Sequence, residues 1–98
     1  MADGANMIVL SPGDNVAIAL RDIAVGEHGI ELGGLRVAAL ERIEQGHKVA
    51  LRDISPGEPI VRFGVPVAIC TSAVDTGRLV HIHNVKSRYL NNDEDHYE

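Results

Sequence analysis

Two histidines stand one residue apart in the stretch VHIHN, residues 80–84. In an extended strand alternate residues share a face, so His81 and His83 point the same way and Asn84 points the other. Two imidazoles on one face can ligate a divalent metal or grip a carboxylate. A metal needs at least a third donor, and His28, His47, Asp53 and Asp75 are candidates among which no spacing selects. An isolated His-x-His is also compatible with a plain polar strand face in water. A second group of interest is His47-Lys48, which follows Gly46 and so sits at a strand entrance with its two side chains facing opposite sides. A lysine beside a histidine binds an anion or shifts the imidazole pKa; the bland alternative is two solvated residues at a strand start.

Other reactive types argue for structure. Arg21-Asp22 recurs as Arg52-Asp53, and a duplicated pair suggests a duplicated structural job as ion pair or turn contact. Cys70 lies in VAIC among apolar neighbours, where a buried and inert thiol is expected. The chain has no glycine-rich phosphate loop, nucleophile elbow or Cys-x-x-Cys. Its own residues do not compose a self-sufficient active site.

The elements that must position these side chains are written twice. Residues 19–49 laid over residues 50–80 without a gap agree at ten of thirty-one positions, ALRDI and the Gly-Glu that follows among them. A period of 31 lies in the range of stacked structural units, but two copies are too few for a solenoid. Two similar halves clasped about a pseudo-twofold axis are expected instead. The third appearance of the opening motif is HIHN at 81–84, where the earlier copies have ALRD.

A smaller unit recurs inside each half: an apolar residue, two residues, glycine, two residues, then Val or Ile. It appears as IEQGHKV (43–49), ISPGEPI (54–60) and VDTGRLV (74–80), and imperfectly as IAVGEHGI (23–30). This spacing predicts a tight turn with glycine at positive φ leading into a strand. Strands are expected at 7–10, 16–20, 34–38, 48–52, 59–62, 66–69 and 80–85, with a helical turn over VAALERI (37–43) as the alternative there.

Ninety-eight residues make one domain with a modest core. That core must be aliphatic, since Phe63, Tyr89 and Tyr97 are the only aromatics. Ten glycines and four prolines spread along the chain point to many turns between short elements, the mark of a mostly-β fold. A net charge of −5 argues against a nucleic-acid binder. A single cysteine fits a reducing compartment, and the absence of a basic leader or a membrane-length apolar run gives a cytoplasmic expectation with no membrane partner. Residues 1–85 read as the folded domain, and 86–98, ending in NNDEDHYE, as a polar acidic tail or linker.

DNVAIAL, GHKVALRDISPGEPIVRFG and GRLVHIHN occur in this order and at these distances. With them the chain resembles the small N-terminal module of the altronate/galactarate dehydratase family, of the SAF-domain, β-clip class, over about residues 8–84. The resemblance implies a mostly-β SAF fold of short strands with an internal pseudo-twofold repeat. It implies a lyase component, in which a large catalytic subunit carries most of the chemistry and this module completes its active site without being active alone. Members remove the proton α to a sugar-acid carboxylate and expel the β-hydroxyl; a related branch, the sulfolactate sulfo-lyases, expels sulfite. A stand-alone carbohydrate-binding module is the alternative.

Carried over by motif, His47, Lys48 and Asn84 are expected to bind substrate and His81 and His83 to ligate metal. The cofactor implied for the assembled enzyme is divalent iron or manganese. The partners implied are the large subunit and a small anionic sugar acid, with a homo-oligomer also compatible. The chain departs from the family pattern at Phe63, where Tyr is usual, and at Ala68, where Gly is usual. The first removes a hydroxyl contact; the second suggests a backbone less closely approached.

Overall fold

The computed structural model describes residues 4–81 and 85–87. Within them the chain forms nine short strands and no helix. A central antiparallel sheet has the order β1-β2-β5-β8, from β1 (Met7–Ile8), β2 (Val16–Ala19), β5 (Lys48–Ala50) and β8 (Leu79–Val80). One hairpin pairs β3 (His28–Ile30) with β4 (Arg36–Ala38). A three-stranded sheet joins β6 (Pro59–Arg62), β7 (Val65–Cys70) and β9 (Val85–Ser87).

The duplication is visible atom by atom. Isolated bridges join Ile23 to Ile43 and, 31 residues on, Ile54 to Val74. The Gly26 amide donates to the Ala39 carbonyl as Gly57 does to Cys70, and Gly46 donates to Ala19 as Gly77 does to Ala50. The turn glycines Gly26, Gly46, Gly57 and Gly77 have φ of 86°, 86°, 90° and 91°. All four units therefore turn in the left-handed region that only glycine enters without strain. At the centre, Ala17 pairs with Val49 and Ile18 with Lys48. A shift of 31 carries Ala17 onto Lys48 and Ile18 onto Val49, so it exchanges these two pairs and leaves the ladder unchanged. That is a local twofold axis, and the expected clasp is the one observed.

The pleat of the central sheet divides the core in two. Met7, Ala17, Ala19 and Val49 pack with Ile23, Val37, Ala39 and Ile43 of the first half. Val16, Ala50 and Val80 pack with Ile54, Ile60, Ala68, Cys70 and Val74 of the second. Neighbours along each strand point to opposite faces, so one sheet seals two small cores. Each fully buried isoleucine contributes about 2 kcal/mol, which is how an all-aliphatic interior suffices.

Two buried asparagines, which the sequence did not single out, lock the halves. Asn6 donates through Nδ2 to the His28 carbonyl at 2.9 Å and accepts through Oδ1 from the Ile30 amide at 2.6 Å. Asn15 does the same to Pro59 at 2.9 Å and Val61 at 2.8 Å. The shared signal was an Asn directly before an apolar strand, in ANMIV and DNVAI.

The structure corrects one expectation. VAALERI is no helical turn: β4 ends at Ala38, Ala39 is buried and Ile43 bridges to Ile23. Pairing with the first turn unit wins over the helical spacing. Strand β3 was not among the expected strands, because Gly29 interrupts any apolar alternation in HGI. The expected strand 80–85 is described only at Val80, His81 and Val85, its middle lying outside the described residues. Lys86 and Ser87 continue β9 along β7.

Candidate functional site

The register of β5 and β8 builds the site. Lys48 pairs with Val80 and Val49 with Leu79. One step beyond the ladder the same register sets His47 opposite His81, and their rings stack with centroids 4.7 Å apart and planes 17° from parallel. Both are partly exposed at the end of the sheet. The residues are 34 apart in sequence and meet because Gly46 turns the chain into β5 and Gly77 turns it into β8. The fold thus brings His47 to His81. His83 and Asn84 lie outside the described residues.

Lys48 points to the other side of β5, as strand alternation requires, and is half-buried beside Val80 and Ile18. Burial lowers its pKa, and the nearby charge of Arg62 lowers it further. Lys48 is therefore a strained cation, less solvated than a surface lysine and more responsive to an anion.

The other candidates have structural jobs. Asp53 accepts from the Thr76 amide and hydroxyl, both at 2.9 Å, and Asp22 accepts from the Gln45 amide at 2.9 Å. Arg21 pairs with Glu27 and Arg52 with Glu58, each at 3.4 Å, and Arg42 pairs with Asp22 at 2.6 Å. The repeated arginines and aspartates are the duplicated turn contacts their repetition implied. Cys70 is buried, donates to the Ser72 carbonyl, and has a pKa raised chiefly by burial. His28 is exposed on β3.

For the metal that the resemblance implies, the described residues contain no group of three or more His, Cys, Asp or Glu side chains able to hold one. His28, Asp53 and Asp75 do not join the stacked pair, and two imidazoles are half of a ligand set. The described residues do not by themselves fit a metal centre. An apolar hollow lined by Ala5, Met7, Ile8, Leu20, Glu31 and Leu32 marks the first half. Its only charged lining residue is acidic, so it offers nothing to a sugar acid. No helix among the described residues is long and apolar enough to cross a membrane.

Comparison with known proteins supplies the chain's relatives. Residues 5–88 match the altronate/galactarate dehydratase SAF domain family. An altronate dehydratase of Bacillus subtilis is 36% identical over 74 residues, 76% of this chain and 15% of that protein. The Escherichia coli altronate dehydratase is 32% identical over 85 residues, 87% of this chain and 17% of its own length. The alpha subunit of a (2R)-sulfolactate sulfo-lyase from Chromohalobacter salexigens is 32% identical over 54 residues, 55% of this chain and 57% of that subunit. The chain thus spans about a sixth of the altronate dehydratases it matches, and aligns with more than half of the sulfo-lyase alpha subunit.

Proposed function

Since the chain belongs to the altronate/galactarate dehydratase SAF domain family, we propose that it is the small module of a sugar-acid hydro-lyase, completing an active site built mainly by a large catalytic polypeptide. The observation that carries this reading is the His47–His81 stack at the open end of the sheet, with Lys48 on the reverse side of the same strand.

Dehydration of a hydroxy acid removes a proton α to a carboxylate and delivers one to a departing β-hydroxyl. The first step is hard because the carbanion forms beside a negative charge; cations that take up the enediolate lower that barrier. His47 supplies an imidazole for proton transfer, and Lys48, on the other side of β5, adds positive charge that draws an anionic substrate to this end of the sheet. A divalent metal, iron or manganese, would add Lewis-acid stabilisation in the assembled enzyme. We place most of its ligands on the large polypeptide, with His81 and His83 contributing from this chain.

A second reading is favoured by the sulfo-lyase relative, whose alpha subunit is itself short. The same imidazole would then serve expulsion of sulfite. The test is co-expression with a large polypeptide of the family and assay against altronate, galactarate and sulfolactate, with and without iron. The assembled enzyme should turn over one of them, and His47→Ala and His81→Ala should each lower turnover about 100-fold or more with the melting midpoint unchanged. Full turnover in both variants, or turnover by the small chain alone, would overturn the assignment.

A further inference from the structure

The turn between β6 and β7 departs from its twin in the first half. There the β3–β4 ladder runs without a shift into a loop of residues 32–34, across which the Glu31 amide donates to the Leu35 carbonyl. In the second half the register slips between Ile60 and Val61, and Arg62 pairs with Val65, leaving Phe63 and Gly64 as the whole loop. Phe63 is thereby driven to a φ of 56°, and no other non-glycine among the described residues has a positive φ. Such a loop favours Asn-Gly or Asp-Gly, and a bulky residue there is strained. Asp14 holds it in place: one carboxylate oxygen accepts from the Phe63 amide and the other from the Gly64 amide, each at 2.8 Å. The ring itself is 68% exposed and gains little from the fold. A bulge that re-aims a side chain, and strain kept without packing reward, point to a contact outside the fold.

The equivalent place in the first half is concave. A shift of 31 carries Phe63 onto Leu32 and Arg62 onto Glu31, and the matched asparagines Asn15 and Asn6 carry Asp14 onto Ala5. Those three counterparts line the apolar hollow together with Met7, Ile8 and Leu20. Its volume is about 280 Å³. An apolar cavity of ~150 Å³ already holds a benzene ring, so a phenylalanine side chain fits. Leu32 is 75% exposed, Leu20 48% and Ile8 41%, a group of large aliphatic side chains left in water. Such a patch marks an interaction surface.

Charge matches the shapes. Arg62 flanks the exposed ring and Glu31 flanks the hollow. The ion pairs among the described residues, Arg21–Glu27, Arg42–Asp22 and Arg52–Glu58, use neither of them. One Glu31 oxygen accepts from the Gly33 amide at 3.1 Å, which steadies the carboxylate beside the hollow.

We infer that this chain binds a second copy of itself: Phe63 of each copy seats in the hollow of the other, with Arg62 against Glu31. Ring and hollow sit at the turns of hairpins that the local twofold exchanges. Two copies lying antiparallel therefore make the contact twice and close as a dimer. The contact does not depend on which reaction the chain serves.

The test is sedimentation of the purified chain over a concentration series, where the unaltered chain should show a monomer–dimer equilibrium. Phe63→Gly should weaken dimerisation about tenfold or more while raising the melting midpoint of the dilute monomer, a combination that a structural role does not produce. Leu32→Asp, in an exposed loop, should weaken it as much from the other side of the contact. Arg62→Glu and Glu31→Lys should each do so alone, because each sets like charges together. An equimolar mixture of those two variants should dimerise again, since both contacts of the mixed pair regain opposite charges. A chain that is monomeric throughout, a dimer indifferent to Phe63→Gly and Leu32→Asp, or a mixture no tighter than its components overturns the inference. So does a monomeric chain whose Phe63 is required instead for binding a large polypeptide of the family, because the ring then has another receiver.

Discussion

Lys48 is a side chain whose charge the fold disfavours. Its ammonium is half-buried beside Val80 and Ile18 and feels Arg62, and both effects disfavour its charge. Lys48→Met keeps the length and removes the charge, so it should raise the melting midpoint by roughly 2–5 °C. A destabilised Lys48→Met chain in a thermal scan would contradict this account.

A second residue-scale case is purely about packing. Met7 and Gly29 of the first half occupy the places of Val16 and Ile60 in the second: large with none against small with large. A Cβ on Gly29 would lie 2.7 Å from the Met7 sulfur, so the methionine already fills that space. Met7→Val should cost about 1–2 kcal/mol by leaving a cavity, and Gly29→Ile about as much or more by overpacking. The double variant, which copies the other half, should recover at least about 1 kcal/mol over the sum. Additive losses in denaturant titrations would show that the two positions do not share one volume.

At the scale of elements, the turn units carry a built-in comparison. Gly46 and Gly77 hold equivalent places with φ of 86° and 91°, yet their surroundings differ. A Cβ on Gly46 would meet nothing within 4 Å, whereas one on Gly77 would fall 2.0 Å from the Ala38 carbonyl oxygen. The first half crosses over β8 here: the Leu40 amide donates to the Gly77 carbonyl at 3.0 Å, and the Leu79 amide to the Glu41 carboxylate at 2.9 Å. Gly46→Ala should therefore cost about 1 kcal/mol, the left-handed backbone penalty alone. Gly77→Ala should cost at least twice that, because backbone must move. Equal losses on denaturation would remove the crossover from the account. The same elements show where pattern reading failed: HGI hides a strand because Gly29 yields its volume to Met7, a residue two strands away in sequence.

For the whole molecule, acid is the informative variable. Asp22, Glu27, Asp53 and Glu58 all accept backbone amide hydrogen bonds, the leading reason that their pKa values lie below the ordinary carboxylate range. The folded state then binds fewer protons than the unfolded chain, so this stabilisation is fully present above the unfolded values, about pH 4, and is lost as pH falls through the folded ones. Lys48 has the opposite consequence: its depressed pKa is a penalty below the folded value, relieved as pH rises through it. Denaturant titrations should give a plateau near neutrality and a loss below about pH 4, shallower in the Asp22→Asn, Asp53→Asn double variant. An unchanged acid limb would detach these carboxylates from the stability of the clasp.

The division of labour between sequence and fold follows from distance along the chain. Local chemistry settled the period of 31, the glycine turns with positive φ, the Arg-Asp contacts and an aliphatic interior, because each depends on residues within one turn or one strand. The His-Lys step onto opposite sides of β5 was equally local. What no local rule could supply was which strand lies beside which, and in what register. That alone stacked His47 on His81 across 34 residues, brought the charge of Arg62 to bear on Lys48, and let Asp14 hold Phe63 from 49 residues away. Antiparallel register is decided by the sum of burial on two faces at once, a quantity that exists only when the whole chain is in place.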